Sequence, residues 1–170
     1  MHQNQAGTDP HHVLTMVNVP YKKTQLYDEL TDGYEIFEHY YDVMMFLAVL
    51  CYREGEPKTD DYKGGGEGER GSIGIERFHG NSHYHAIVAS LAYQRRGNPE
   101  AMADVEVHAN VIPQYAAGGL EVYEEKFGDV AGDPTDAIAN YINSCTEDGN
   151  PQREDDELQT ILRNFEGLGV

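Results

Sequence analysis

The sequence has 170 residues, 30 of them acidic and 12 basic, which gives a formal net charge of −18. A chain of this length buries about 70% of its unfolded surface, so we expect one core and no second domain. The two cysteines, Cys51 and Cys145, are too few for a disulfide framework. The acidic composition is typical of proteins that work at very high salt, where self-repulsion is screened. We therefore predict a halophilic, cytoplasmic protein.

Basic residues are concentrated in the first half of the chain. Residues 1–96 carry a net charge of −5, whereas residues 97–170 carry −13. Because cations bind nucleic-acid phosphates, any contact with DNA should use the first half. The candidate residues are Lys22, Lys23, Arg53, Arg95 and Arg96. The alternative is that these cations are ordinary solvated surface charges.

Residues 34–52 form the most apolar long segment, and nothing from Val43 to Cys51 is charged. A helix that is apolar on all sides has to be covered on all sides, so we predict a buried central helix over 34–52. The charges in its first half leave it short of the roughly 20 apolar residues that a membrane crossing requires. The polar start of the chain has no signal-peptide pattern, and we expect no membrane contact.

The segments that precede the central helix are predicted from local signals. Residues 1–15 have the composition of a disordered tail, and Pro20 favours a short extended segment over 13–20. Thr24 is a candidate cap for a helix that ends at Leu30.

A glycine-rich stretch over 53–71 follows the central helix and predicts a flexible loop. The run from Gly64 to Gly68 could be read as a phosphate cradle. No Lys-Ser/Thr pair follows it, however, and Glu67 and Glu69 would repel a phosphate. A linker is therefore the favoured interpretation.

In the remaining chain, apolar residues recur either at every second position, as in a strand, or at every third or fourth position, as in a helix. The predicted elements are a strand over 72–78, a helix over 82–96, a short helix from Asn98, a helix over 110–127, a helix over 133–143, an acidic linker over 146–157 and a short amphipathic helix over 158–165. Together they predict a mainly α fold. It is a single compact domain over 16–145, with five or six helices around the central helix and at most a small β element.

Two adjacent glycines, Gly118 and Gly119, lie inside the predicted helix over 110–127. Two glycines in a helix cost about 2 kcal/mol relative to alanine. Close approach of another backbone would offset that cost. We predict that the glycines contact the central helix, with Met45 or Phe46 as the neighbour.

His79, His83 and His85 form the densest group of potential metal ligands, with Glu76 and His108 elsewhere in the chain. In a helix His79 and His83 share a face, whereas in a strand His83 and His85 do. A zinc site needs three or four converging ligands, and no single regular structure presents all three. The alternative is that they are surface or capping histidines.

No catalytic residue is predicted. The sequence contains no serine-hydrolase, zincin, Walker or dinucleotide motif. Tyr34, Tyr40, Tyr41 and Tyr52 could form a base-stacking platform, but their helical spacing favours core and interface positions.

Two segments, FEHYYDVMMFLAVLCYREG (37–55) and IPQYAAGGLEVYEEKF (112–127), resemble the Dnd system-associated protein 4 family, small proteins encoded beside DNA phosphorothioation systems. With its acidic composition, the chain is similar to a haloarchaeal-type member. The matching positions are Phe37, Tyr41, Asp42, Phe46, Ala48, Tyr52, Arg53, Gly55, Tyr115, Ala116, Gly118, Gly119, Leu120 and Glu121. Cys51 stands where the family pattern usually has glycine.

The resemblance implies an accessory role in DNA phosphorothioation-linked modification or restriction, and hence in anti-phage defence. The implied partners are other Dnd-type proteins and DNA, and a homo-oligomer is compatible with this role. It implies no cofactor and no catalytic residue, which favours a non-enzymatic protein. The alternative function is a metal-dependent enzyme, most simply a nuclease, built on His79, His83 and His85.

Overall fold

The computed structural model describes residues 16–66 and 68–148. Within them the chain forms helices and one two-stranded sheet. In chain order the elements are β1 (Asn18–Lys22), α1 (Gln25–Asp28), a π-helical segment (Glu29–Gly33), α2 (Tyr40–Glu54), β2 (Arg70–Gly74), α3 (Glu76–His79), α4 (Ser82–Arg96), a 3₁₀ helix (Pro99–Met102), α5 (Val105–Phe127) and α6 (Thr135–Asp148). The predicted mainly α fold is confirmed.

Helices α2 and α5 form the centre of the molecule and make the most extensive contact between any two described elements. Leu47 and Leu50 of α2 and Ile112 of α5 are at most 1% exposed. A smaller cluster beside this core brings Leu91 of α4 against Ala48 of α2. The apolar middle of α2 is thus covered by other elements, as its composition requires.

The central helix begins at Tyr40, so the predicted start at residue 34 is wrong. Glu35 has a φ of 52°, in the left-handed region that interrupts a helix. His39 is the N-cap, and its backbone N–H donates to Asp42 Oδ2 at 3.1 Å. The side chain of Asp42 therefore sets the start of α2.

The first helix also differs from the prediction. Thr24 precedes α1, but its side chain makes no capping hydrogen bond. The helical region does not end at Leu30, because the π-helical segment follows α1 directly and ends at Gly33.

The small β element pairs β1 with β2 in antiparallel register, with Pro20 opposite Ser72. The predicted strand over 72–78 is therefore shifted. Pairing with β1 extends the strand back to Arg70 and ends it at Gly74, and the next residues form α3. Pairing partners, which decide strand ends, are not visible in a local pattern.

The loop between α2 and β2 is tied to the rest of the fold by backbone hydrogen bonds. The N–H of Lys58 donates to the carbonyl of Gln114 at 2.9 Å, and the N–H of Lys22 donates to the carbonyl of Tyr62 at 3.0 Å. The loop thus closes over one side of β1 and α5.

Helix α4 has the bounds predicted from its caps. Asn81 Oδ1 accepts from the backbone N–H groups of His83 and Tyr84, and Gly97 takes the left-handed conformation with a φ of 72°. The short helix after Asn98 is a 3₁₀ helix whose first turn Asn98 caps. Both ends of this region follow from local capping chemistry.

Helix α5 begins at Val105, five residues before the predicted start. Asp104 is its N-cap and accepts from the N–H groups of Glu106 and Val107 at 3.0 and 3.1 Å. This longer helix carries His108 in its first turn. Helix α6 runs from Thr135 to Asp148, beyond the predicted end at 143 and into the predicted linker.

Three predicted segments lie outside the described residues: the tail over 1–15, the linker beyond 148 and the amphipathic helix over 158–165. Among the described helices, none has both the length and the apolar character needed to cross a bilayer.

Candidate functional site

Three histidines from three helices converge at one end of the molecule. They are His79, His85 and His108, and one ring nitrogen from each lies within 4.8 Å of the others. His79 Nε2 and His108 Nδ1 are 2.9 Å apart, a hydrogen-bond distance. The His79 and His85 ring centroids lie 4.5 Å apart. We call these residues the histidine cluster.

The local structure explains why these side chains meet. His79 is the last residue of α3, and the short turn through Gly80 and Asn81 leads directly into α4. This turn brings His85 of α4 back beside His79. His108 reaches the same point from the first turn of α5, after the 3₁₀ helix. The cluster therefore depends on a turn and on helix packing.

Of the three histidines predicted as ligands, the structure brings together His79 and His85 and leaves out His83. His83 is exposed in the first turn of α4, and its backbone N–H donates to the capping side chain of Asn81. His83 and His85 lie two positions apart in a helix and so point to different sides. His108 takes the third position.

The environment of the cluster favours neutral imidazole rings. Burial lowers the pKa of His79, and the neighbouring His85 and His108 rings lower it further. Burial also lowers the pKa of His108, although the nearby backbone of Ala101 and Met102 opposes this shift. Neutral imidazole is the form that binds transition metals.

His108 is the most deeply buried polar side chain among the described residues, with 1% exposure. Its Nδ1 faces His79, whereas its Nε2 is buried and makes no hydrogen bond with any described residue. An unpaired buried polar atom of this kind is uncommon and costly.

The predicted DNA-binding cations fall into two groups. Lys22 forms an ion pair with Asp61 at 2.5 Å, and Lys23 forms one with Asp28 at 3.4 Å. Lys22 is the last residue of β1 and Lys23 follows it, and both charges are compensated locally.

The three candidate arginines lie elsewhere and have no ion pair with any described carboxylate. Arg53 is exposed in the last turn of α2, beside Tyr141 of α6. Arg95 and Arg96 are exposed at the end of α4, and Arg95 Nε lies 3.4 Å from the side-chain oxygen of Gln114. All three are therefore uncompensated by described carboxylates, and Arg95 and Arg96 are adjacent at the end of one helix.

An apolar groove separates α2 from α4. It lies where α4, which packs mainly on α5 and the 3₁₀ helix, meets α2. Its lining residues are Val49, Tyr52, Ala86, Ile87, Ser90 and Leu91. The ring of Tyr52 forms one wall and is 55% exposed. We call this feature the α2–α4 groove.

The motif positions over 37–55 hold α2 in place. The rings of Phe37 and Phe46 lie 5.2 Å apart and pack the segment before α2 onto the helix. Tyr41 makes an edge contact with Phe78. Asp42 caps α2 and also accepts a hydrogen bond from the hydroxyl of Tyr84 at 2.6 Å. These positions have a structural role, whereas Tyr52 and Arg53 point outwards.

The motif positions over 112–127 serve the contact between α5 and α2. Tyr115, Gly118 and Gly119 are buried, and the two glycines lie against the central helix as predicted. Their neighbours are the backbone of Leu47 for Gly119 and the Cys51 sulfur with the Glu56 backbone for Gly118. The predicted neighbours Met45 and Phe46 are wrong. Glu121 is exposed and pairs with Lys58 at 2.5 Å.

Comparison with protein families matches residues 16–161 to the family described as DNA sulphur modification system-associated protein 4. The match spans most of the chain and includes both motif segments. The chain belongs to this family. Searches of curated proteins and of solved structures each found no match.

Family membership confirms the resemblance drawn from the two motif segments. It supports association with a DNA sulphur modification system. The matched region also contains the histidine cluster and the α2–α4 groove. Sequence reasoning left His108 out of the predicted ligand set because the predicted α5 began after it. The capping residue Asp104, four positions earlier, was the signal that places His108 in a first helical turn.

Proposed function

We propose that this protein is a non-enzymatic, cytoplasmic accessory of a DNA sulphur modification system and that it binds another protein of that system through the α2–α4 groove. The coarser role rests on family membership. The α2–α4 groove is the observation that supports the finer part, the binding of a partner protein.

Single exposed apolar side chains are normal on a protein surface, whereas an apolar depression lined by an exposed aromatic ring marks a candidate interaction site. The groove is of the second kind, with Tyr52 55% exposed and Ala86 also exposed in its lining. Exposed aromatic residues beside apolar depressions are typical anchors of protein interfaces. This groove suits a partner segment that carries apolar residues. Arg95 and Arg96, one turn beyond Leu91 at the end of α4, lie outside its lining.

The test is co-expression with the proteins encoded by the same sulphur modification system, followed by affinity purification in high salt. The variant Ala86→Glu adds a charge inside the groove without removing any core side chain. Its matched control is Ala139→Glu, an equal change at an exposed position of α6. We expect Ala86→Glu to abolish co-purification of the partner and Ala139→Glu to retain it.

Two results would contradict the proposal. One is retention of the partner by Ala86→Glu at the level of the unchanged protein. The other is equal loss in both variants, which would assign the effect to net charge. Circular dichroism of both variants checks that each is folded.

A direct contact with DNA is the second part of the proposal, with Arg95 and Arg96 as the contact residues. The support is their exposure at the end of α4 and the lack of an ion pair with any described carboxylate. Because Lys22 and Lys23 are already paired with carboxylates, they are weaker candidates. A role in restriction and anti-phage defence would follow from such a complex on sulphur-modified DNA.

A metal-dependent nuclease is the second candidate function, and the histidine cluster is the observation that favours it. Its test is incubation of sulphur-modified and unmodified plasmid with the purified protein and Zn²⁺ or Mn²⁺. Cleavage that is lost in His85→Ala would favour the nuclease over the accessory. Intact plasmid under all these conditions would favour the accessory.

A further inference from the structure

We propose that His79, His85 and His108 form a Zn²⁺-binding site in which the fourth coordination position is open to solvent. This inference goes beyond the accessory role and does not depend on it. It rests on the convergence of three imidazoles and on the buried, partly unpaired ring of His108.

The geometry of the cluster is close to that of a metal site. Zinc binds imidazole nitrogen at about 2.0–2.1 Å, so two nitrogens in a tetrahedral site lie about 3.3 Å apart. His79 Nε2 and His108 Nδ1 are 2.9 Å apart and need only a small separation to admit the ion. His85 is exposed, and its ring makes no hydrogen bond with any described residue. Rotation of the His85 side chain can therefore bring its ring nitrogen closer to those of His79 and His108, which now lie within 4.8 Å of it.

The buried ring of His108 is the second observation. The hydrogen bond between His79 and His108 uses one nitrogen of each ring, and it leaves His108 Nε2 buried close to the backbone of Ala101 and Met102 but without a well-formed hydrogen bond. A metal bound at Nδ1 requires the proton to lie on Nε2. That N–H would face the nearby backbone of Ala101 and Met102. Ligating histidines commonly direct their second nitrogen towards a backbone carbonyl in this way.

The arrangement of the rings argues against a simple pair of hydrogen-bonded core histidines. The His79 and His108 rings are nearly perpendicular, with an interplanar angle of 89°. The His85 ring lies 6.0 Å from that of His108 and adds a third imidazole that a buried pair does not need.

The donor set indicates which ion would bind. Imidazole nitrogen suits zinc and its transition-metal neighbours, whereas calcium and magnesium require oxygen ligands. Among the described residues, no carboxylate or thiol belongs to the converging group. The exposure of His85 leaves the fourth position to water.

The experiment is calorimetric titration of Zn²⁺ into the full chain, after treatment with EDTA and in the high-salt buffer of purification. His85→Ala removes one ligand from an exposed position and leaves the core intact. His83→Ala is the matched control, because His83 is an equally exposed histidine two residues away that lies outside the cluster. We expect one Zn²⁺ per chain in the unchanged protein and in His83→Ala.

In His85→Ala we expect the affinity to fall by at least about 100-fold, the upper end of the loss that removal of a second-shell partner causes. Zn²⁺ should also raise Tm in the unchanged protein and in His83→Ala, and much less in His85→Ala. Failure of the unchanged protein to bind Zn²⁺ in a saturable manner would overturn the proposal and leave a hydrogen-bonded histidine pair. Equal affinity in His85→Ala, or loss of binding in His83→Ala, would overturn it as well.

Discussion

Gly119 of α5 lies directly against the backbone of Leu47 in α2. A β-carbon at position 119 would overlap the Leu47 carbonyl oxygen and would lie 2.9 Å from the Leu47 α-carbon. Real β-carbon contacts are longer than this. Because the obstacle is backbone inside a helix, it cannot be relieved by rotation of a side chain. The closest approach of the two central helices therefore requires glycine.

The first prediction is that Gly119→Ala destabilises the fold, although alanine is the better helix former. Overpacking of a core contact costs about 1–3 kcal/mol, and the gain in helix propensity returns about 1 kcal/mol. We expect a lower free energy of unfolding in urea, with a net loss of about 1 kcal/mol or more.

Gly33→Ala is the control for this prediction. Gly33 lies at the end of the π-helical segment, and the nearest neighbour of a β-carbon there would be the Asp28 carbonyl oxygen at 3.8 Å, an ordinary contact distance. The free energy of unfolding of this variant should stay the same or rise slightly. A Gly119→Ala variant as stable as Gly33→Ala would show that α2 and α5 can move apart without cost.

The second prediction concerns the hydrogen bond from Tyr84 to Asp42, which joins α4 to the start of α2 at 2.6 Å. A hydrogen bond to a charged group contributes about 1.5–3 kcal/mol. The Asp42 side chain is 20% exposed, so we expect Tyr84→Phe to cost about 1.5 kcal/mol. Tyr93→Phe, on the same helix but 46% exposed, should leave the urea midpoint unchanged. Equal urea midpoints for the two variants would show that the hydrogen bond from Tyr84 to Asp42 does not stabilise the fold.

The third prediction is that the two thiols differ in reactivity. Cys51 is buried in the central helix, and Cys145 is partly exposed in α6. Burial, together with the smaller effect of the nearby Glu56 and Glu121, raises the pKa of the Cys51 thiol to about 12. The thiolate is the reactive form. Iodoacetamide at pH 8 should therefore modify one thiol per folded chain and both in urea, as counted by mass spectrometry.

The same pKa difference predicts a loss of stability at high pH. An unfolded thiol ionises near pH 8.5, whereas the folded Cys51 thiol keeps its proton to about 12. As pH rises, the thiol of the unfolded state therefore loses its proton first. The contribution of the Cys51 thiol to the free energy of unfolding is fully present below about pH 8.5 and falls above it. Between pH 8 and 9.5, the unchanged protein should lose about 1 kcal/mol more than Cys51→Ala. An identical loss of stability in both proteins would show that the pKa of Cys51 is not raised in the folded state.

The fourth prediction tests the proposed DNA contact. Each phosphate contact contributes about 0.9 to the slope of log affinity against log salt concentration. The double variant Arg95→Gln/Arg96→Gln should weaken binding to duplex DNA and reduce that slope, as measured by fluorescence anisotropy. Lys22→Gln/Lys23→Gln is the matched control, because both lysines are already paired with carboxylates. Equal effects of the two double variants would contradict a specific role for the arginines.

Local chemistry along the chain was enough to predict several elements. Asn81 and Gly97 marked both ends of α4, and the adjacent Gly118 and Gly119 marked a close helix contact. Capping and close approach depend on the residue type at one position. The family motif was readable for the same reason, since its residues stand close together in sequence.

The tertiary structure alone decided which histidines meet and where the strands end. His79 and His108 are 29 positions apart, and their 2.9 Å contact exists only because α5 packs beside the turn between α3 and α4. The shifted ends of β2 depend in the same way on pairing with the distant β1. By itself the sequence determined a helical, strongly acidic chain with a buried central helix, because composition and periodicity act locally. Contacts between distant segments depend on how the helices pack, and periodicity does not encode that packing.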